Sequence, residues 1–175
     1  MPGRCDLAPQ RIHKGRVIVR YITLLATVAL LSLASHTAFA DGRLDRCEPY
    51  KADVQAKLAE NGLPTWLYYL MVAESGCRDE AESNKGAQGY WQLMPYTARV
   101  YGCEDPHNLE CATDAAIGYL KHLSKRFSGF DLVRAYNRGG TNLQRKGTTK
   151  EAEGLVHTVR RLIKLDMGEL PREER

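Results

Sequence analysis

From residue 41 onward, apolar positions recur at intervals of three and four, and no segment alternates apolar with polar residues as a half-buried strand does. The pattern predicts a succession of helices. Residues 51–60 form a short one, stopped by Asn61-Gly62. Pro64 suits the first turn of the next, which runs through "TWLYYLMVAES" to Gly76. Residues 95–101 open on Pro95 and end at Gly102. Thr113 or Asp114 caps "AAIGYLKHLSKRF", where Ile117, Leu120 and Leu123 keep one face apolar. Asp131 opens "LVRAYNR", which Gly139-Gly140 terminates, and residues 151–165 carry the stripe Leu155, Val159, Leu162 and Ile163. Residues 168–175 read as a charged tail that frays. The expectation is an all-α, compact single domain.

The first forty residues follow a different pattern. Arg4, Arg11, Lys14, Arg16 and Arg20 precede an apolar stretch over residues 22–34, and Ala38-Phe39-Ala40 has the small-x-small form of a signal-peptidase site. The stretch is shorter than the roughly 20 residues a bilayer span needs. Residues 1–40 therefore read as a signal peptide, with a retained anchor as the other reading. Removing them changes the charge balance. The chain has 25 basic and 21 acidic residues, of which the first forty hold five and one, so the remainder is neutral. It is uneven, however: residues 41–120 carry 7 basic and 13 acidic, and residues 121–164 carry 11 and 3. A basic run of this kind is either a solvated helix face or a weak attraction to an anionic polymer such as cell wall.

After Cys5, four cysteines remain: Cys47, Cys77, Cys103 and Cys111. In an exported chain an even number reads as two disulfides, and four cysteines allow three pairings. Cys103 and Cys111 bracket a loop containing Pro106 and form the natural local pair, leaving Cys47 for Cys77. No CxxC spacing supports zinc, and the histidines are scattered, so no metal or cofactor is expected.

Candidate chemistry centres on Glu74. It follows Leu67, Leu70 and Met71 by seven, four and three residues and so projects from the apolar face of its helix. Burial there raises a carboxyl pKa, as a general acid for a glycosidic oxygen requires. The loop that follows has Gly86 and Gly89 for close backbone approach, Ser83, Asn84, Gln88 and Gln92 as neutral hydrogen-bonding groups, and Tyr90 and Trp91 as flat apolar faces. Such a mixture suits sugar rings. Asp79, Glu80 and Glu82 are expected to face solvent, which leaves no convincing second carboxylate.

The blocks "ES" at 74–75, "GAQGYWQLMPYTA" at 86–98 and "AYNRGG" at 135–140 resemble, in order and spacing, the signatures of the lytic transglycosylase SLT domain, a goose-lysozyme-like family. "LP..L......ES", "GYWQ" and "TARVYG" most resemble its membrane-bound lytic murein transglycosylase D subgroup. The resemblance covers residues 63–140. It implies a lysozyme-like helical fold for residues 41–167, with Glu74 as the single catalytic acid/base, Ser83 near the N-acetyl group, Gln92 and Met94 lining the groove, and Tyr136 and Asn137 facing Glu74. Two departures stand out: Cys77 replaces a frequent aromatic, and "EAEGLV" at 151–156 places Leu155 where the subgroup tends to have Tyr.

The implied activity is non-hydrolytic cleavage of the β-1,4 bond between N-acetylmuramic acid and N-acetylglucosamine in peptidoglycan, leaving 1,6-anhydro-N-acetylmuramic acid ends. The alternatives are a hydrolytic muramidase and a catalytically weak wall-binding adaptor. Glycan strands are the implied partner. So is a secretion, conjugation or pilus machine, because transglycosylases that open gaps for such machines are also of this minimal size. The implied location is the periplasm.

Overall fold

The computed structural model describes residues 41–171. The expected signal peptide (1–40) and the last four residues of the expected tail lie outside the described residues. Helix α1, Gly42–Glu60, begins nine residues before the expected start. Asp41 caps it by accepting from the Arg43 backbone N–H at 3.1 Å. The same carboxylate binds the Arg43 side chain, and then Arg161 at 2.5 Å, which together hold its pKa well below the usual range. Pro49 lies inside α1 and can donate no hydrogen bond to the preceding turn. The pattern hid this helix because an interior proline ordinarily marks a boundary. The far end is as expected, with Asn61 as cap and Gly62 at φ +69°.

A 3-10 turn, Thr65–Leu67, leads into α2, Tyr68–Ser75. Residues 68–72 of α2 are fully buried on every side, as expected of a helix apolar all round. Leu70, Met71 and Val72 each contribute about 1.5–3 kcal/mol relative to exposure, which makes α2 the centre of the core. It packs against α1 and against α7, Lys150–Met167. Gly76, at φ +60°, ends it in the left-handed conformation and passes its carbonyl to Arg46 Nη1 at 2.9 Å.

After a long loop come α3, Pro95–Val100, and α4, Leu109–Ser124. The cap of α4 is Asn108, whose side chain accepts from the Cys111 N–H at 3.0 Å, not Thr113 or Asp114. Thr113 is buried within α4 and accepts the indole N–H of Trp91 at 3.0 Å. Helix α5, Gly129–Arg138, ends at Gly139 as expected, but Gly140 at once starts α6, Gly140–Lys146. The pair Gly139-Gly140 is thus a joint between helices rather than a stop. Helix α7 packs on α5 as well as α2, and Leu170 beyond it is buried in the core. The fold is all-α, and among the described residues strand-type pairing is limited to two isolated bridges in the loop, Glu82 with Gln88 and Gln88 with Leu93. No helix among the described residues is long and apolar enough to cross a membrane.

Both expected disulfides are present. Cys47–Cys77 ties α1 to the residue after the α2 cap, and Cys103–Cys111 closes the loop before α4. Their sequence separations are 30 and 8. Chain entropy then predicts stabilisations of roughly 3.5 and 2.5 kcal/mol. We expect Cys47→Ser/Cys77→Ser to be the more destabilising pair of substitutions in urea titrations. Equal losses from both pairs would show that native-state packing, not chain constraint, sets their worth.

Candidate active site

The loop after α2 is held by its own backbone and by several side chains. Ser75, directly after Glu74, is buried. Its hydroxyl donates to the Tyr90 carbonyl at 2.6 Å and accepts from the Cys77 N–H at 3.0 Å. The Tyr136 hydroxyl donates to the adjacent Trp91 carbonyl at 2.9 Å. Gln92, at φ +49°, donates from its side-chain amide to the carbonyls of Ala81 and Gly89 at 3.0 and 3.1 Å. Gly89 leaves no room for any side chain, because a Cβ there would lie 1.8 Å from the Pro106 carbonyl oxygen. The loop is therefore seated on the segment that the Cys103–Cys111 bridge closes.

Between this loop, α3, α5 and the start of α7 lies a groove of about 310 Å³. Glu74, Ser83, Gln92, Met94, Tyr136 and Asn137 all line it. These residues span more than sixty positions of sequence, and the fold brings them to one wall. Their local duties differ. The Ser83 hydroxyl accepts from the N–H groups of Ala87 and Lys85 at 3.0 and 3.3 Å, which fixes the turn and leaves its own proton to donate. Gln92 spends its amide N–H groups on the loop and retains its carbonyl as an acceptor. Met94 is largely exposed, a flexible apolar surface at the rim.

Glu74 occupies the last turn of α2, above the buried Leu67, Leu70 and Met71. Its pKa is pushed from 4.5 up to about 8, first by burial and second by the negative charge of Glu151; no hydrogen bond is among the causes. The negative end of the α2 dipole acts in the same direction. Tyr136 is driven well above its ordinary range by burial, then by the charge of Glu74, and so remains a neutral hydrogen-bond donor. Behind it the rings of Tyr136, Tyr119 and Tyr101 pack in series, tilted against one another, with centroids 5.3 and 5.7 Å apart.

The groove also contains residues that sequence reasoning did not place there. Glu151, at the start of α7, supplies a second carboxylate. It pairs with Lys85 across the groove at 2.5 Å, and both side chains are exposed, so the pair is worth at most about 1 kcal/mol and does not lock the groove. Tyr119 and Arg138 also line the groove. The "EAEGLV" block was the one available pointer to Glu151. Asp79, Glu80 and Glu82 are exposed, as expected. Among the described residues, no group of three His, Cys, Asp or Glu is arranged to hold a metal ion.

Comparison with known proteins places the same region in context. The family model described as "Transglycosylase SLT domain" matches residues 53–156. Membrane-bound lytic murein transglycosylase D of Escherichia coli K12 is 32% identical over 117 residues, covering 62% of this chain and 26% of that protein. The protein of the same name from Escherichia coli O6:H1 matches with the same figures. A putative tributyltin chloride resistance protein of Alteromonas sp. strain M-1 is 29% identical over 102 residues, covering 54% of this chain and 49% of that protein. The chain thus spans about a quarter of the length of the first two relatives and about half of the third.

Burial of Glu74 carries a stability signature. The native state keeps its proton up to about pH 8, whereas the unfolded chain releases it near 4.5. The native state therefore binds more protons between those limits, and stability falls as pH rises through them. Glu74→Gln is expected to remove this slope. Relative to pH 4, the variant should gain on the order of 2–4 kcal/mol over wild type at pH 8. Urea titrations at the two pH values measure it, and parallel slopes in the two proteins would mean that Glu74 ionises freely in the fold.

Proposed function

Because the chain belongs to the transglycosylase SLT domain family, we propose that it is a peptidoglycan lytic transglycosylase and that Glu74 is its catalytic acid and base. The observation that carries this reading is a carboxyl group held protonated near neutral pH on the wall of a groove lined by sugar-binding types of side chain. In this mechanism Glu74 gives its proton to the glycosidic oxygen between N-acetylmuramic acid and N-acetylglucosamine, and the leaving sugar departs with that proton. The developing positive charge at C1 is met by the substrate's own N-acetyl group, with Ser83 as a donor close to it. The C6 hydroxyl of the same sugar then attacks C1, and the Glu74 carboxylate takes the hydroxyl proton. The enzyme returns to its starting protonation state, no water is consumed, and the product is a 1,6-anhydro end.

The other groove residues take roles that follow from their chemistry. Asn137 offers a neutral donor facing Glu74, and Tyr136, whose proton is taken by the Trp91 carbonyl, keeps its hydroxyl oxygen as an acceptor, so both can orient the sugar without lowering the pKa of the acid. Met94 offers apolar contact to a ring face. The negative charge of Glu151 assists by raising the pKa of Glu74 further. Residues 41–167 form the catalytic domain, delivered to the periplasm by the signal peptide at 1–40. The names of the Escherichia coli relatives, murein transglycosylases, support that placement.

One observation favours a second reading. Glu151 is a second carboxylate in the groove, and in glycosidases that use two carboxylates the second activates water or attacks the sugar. Its carboxylate is exposed and engaged by Lys85 rather than directed at a water beside the scissile bond, which supports the transglycosylase reading over a hydrolytic muramidase.

Digestion of purified sacculi by residues 41–175, followed by mass spectrometry of the released fragments, tests this. Anhydro ends, one water lighter than reducing ends, are expected; reducing ends would make the protein a muramidase. Glu74→Gln should lower the rate about 10²–10⁴-fold, and an unaffected rate would remove Glu74 from the mechanism. The cleavage rate should hold at neutral pH and decline above about pH 8, where the acid loses its proton.

A further inference from the structure

Arg138 stands apart from the other cation in the groove. Lys85 is neutralised by Glu151, whereas Arg138, also lining the groove, forms no ion pair among the described residues. Its Nε is buried and has no hydrogen-bond partner. A buried, unmet guanidinium donor is costly, and a native structure that retains one calls for an explanation. Service to Glu74 is not that explanation. A guanidinium facing that carboxyl would hold its pKa down, yet the pKa is pushed up and Arg138 is not among the causes. Nor is Arg138 needed to close its helix, since Gly139 caps α5 with its own N–H on the Ala135 carbonyl. What remains is an unpaired fork of donors beside Asn137, open to whatever occupies the groove.

Resting on the transglycosylase reading, we propose that Arg138 is a specificity-determining residue that receives a carboxylate of the stem peptide carried by the N-acetylmuramic acid residue. The chemistry matches. Glycan backbones are uncharged, and in an intact strand the lactyl carboxyl is consumed in its amide bond to the peptide. The carboxylates that remain belong to the stem. A guanidinium binds a planar carboxylate through two parallel hydrogen bonds, which a Lys at the same place cannot reproduce. Turning the fork toward a bound stem would also satisfy the Nε that the free protein leaves without a partner. Arg138 would then distinguish peptide-bearing wall from uncharged sugar polymers, while Glu74 acts on the bond itself.

The test uses soluble peptide-bearing glycan strands and the same strands with their carboxylates converted to primary amides, titrated against residues 41–175 in a Glu74→Gln background. Arg138→Gln should weaken binding of the carboxylate strands by roughly tenfold and that of the amidated strands little. Arg138→Lys should recover only part of the loss. Equal weakening on both strands would assign Arg138 a structural role and overturn the inference. So would unchanged binding of both. A failure of the underlying reading looks different: the protein with Glu74 intact would then neither bind nor cleave either strand, and the inference would fall with it.

Discussion

The hydroxyl of Ser75 sets the position of most of the site. It lies between the Tyr90 carbonyl, to which it donates, and the Cys77 amide, from which it accepts. One small side chain thereby fixes both the exit from α2 and the return of the loop. The neighbouring carbonyl, that of Trp91, is taken by Tyr136 from α5, and the Trp91 indole by Thr113 from α4. Two consecutive residues of one loop are thus held from three helices. Glu74 needs no hydrogen bond of its own to be well placed, because its successor in the chain is so firmly anchored. That arrangement leaves the carboxyl free to exchange a proton and still confines it spatially.

The same construction explains how a carboxyl is kept protonated without a dedicated partner. Leu67, Leu70 and Met71 remove water from beneath it, the helix end above disfavours negative charge, and Glu151 adds like charge from α7. Burial is the largest of these contributions, and the charge from α7 adds to it. Together they move the group across neutral pH, at a cost in stability that the disulfide between Cys47 and Cys77 helps to offset.

Much of this was legible from the residues. The spacing from Leu67 to Glu74 fixed the face on which the acid lies, and cysteine parity with loop length gave the pairing. Helix ends at Gly76, Gly102 and Gly139 were readable because glycine at positive φ is cheap there. Starts were less so. Pro49 disguised the first half of α1, and Asn108 capped α4 from within a loop rich in other polar residues. Gly139-Gly140 signalled a stop where the chain merely changes direction. The placement of Glu151, Lys85 and Arg138 in the groove was out of reach, because it depends on how α7 and α5 lie against the loop. Local pattern reports which face of an element is buried, but not which element faces it.

Gly89 and Pro106 meet backbone to backbone behind the groove, with no side chain between them. A contact of that kind leaves almost no room for variation, since any residue other than glycine would displace the loop. The groove-facing layer is built otherwise: Met94 and Lys85 are exposed, and neither is a member of the core. Rigid and variable parts thus lie on opposite sides of the same few residues. A lineage carrying this fold is free to exchange the outer layer, and with it the kind of strand admitted, while the acid beneath stays where it is.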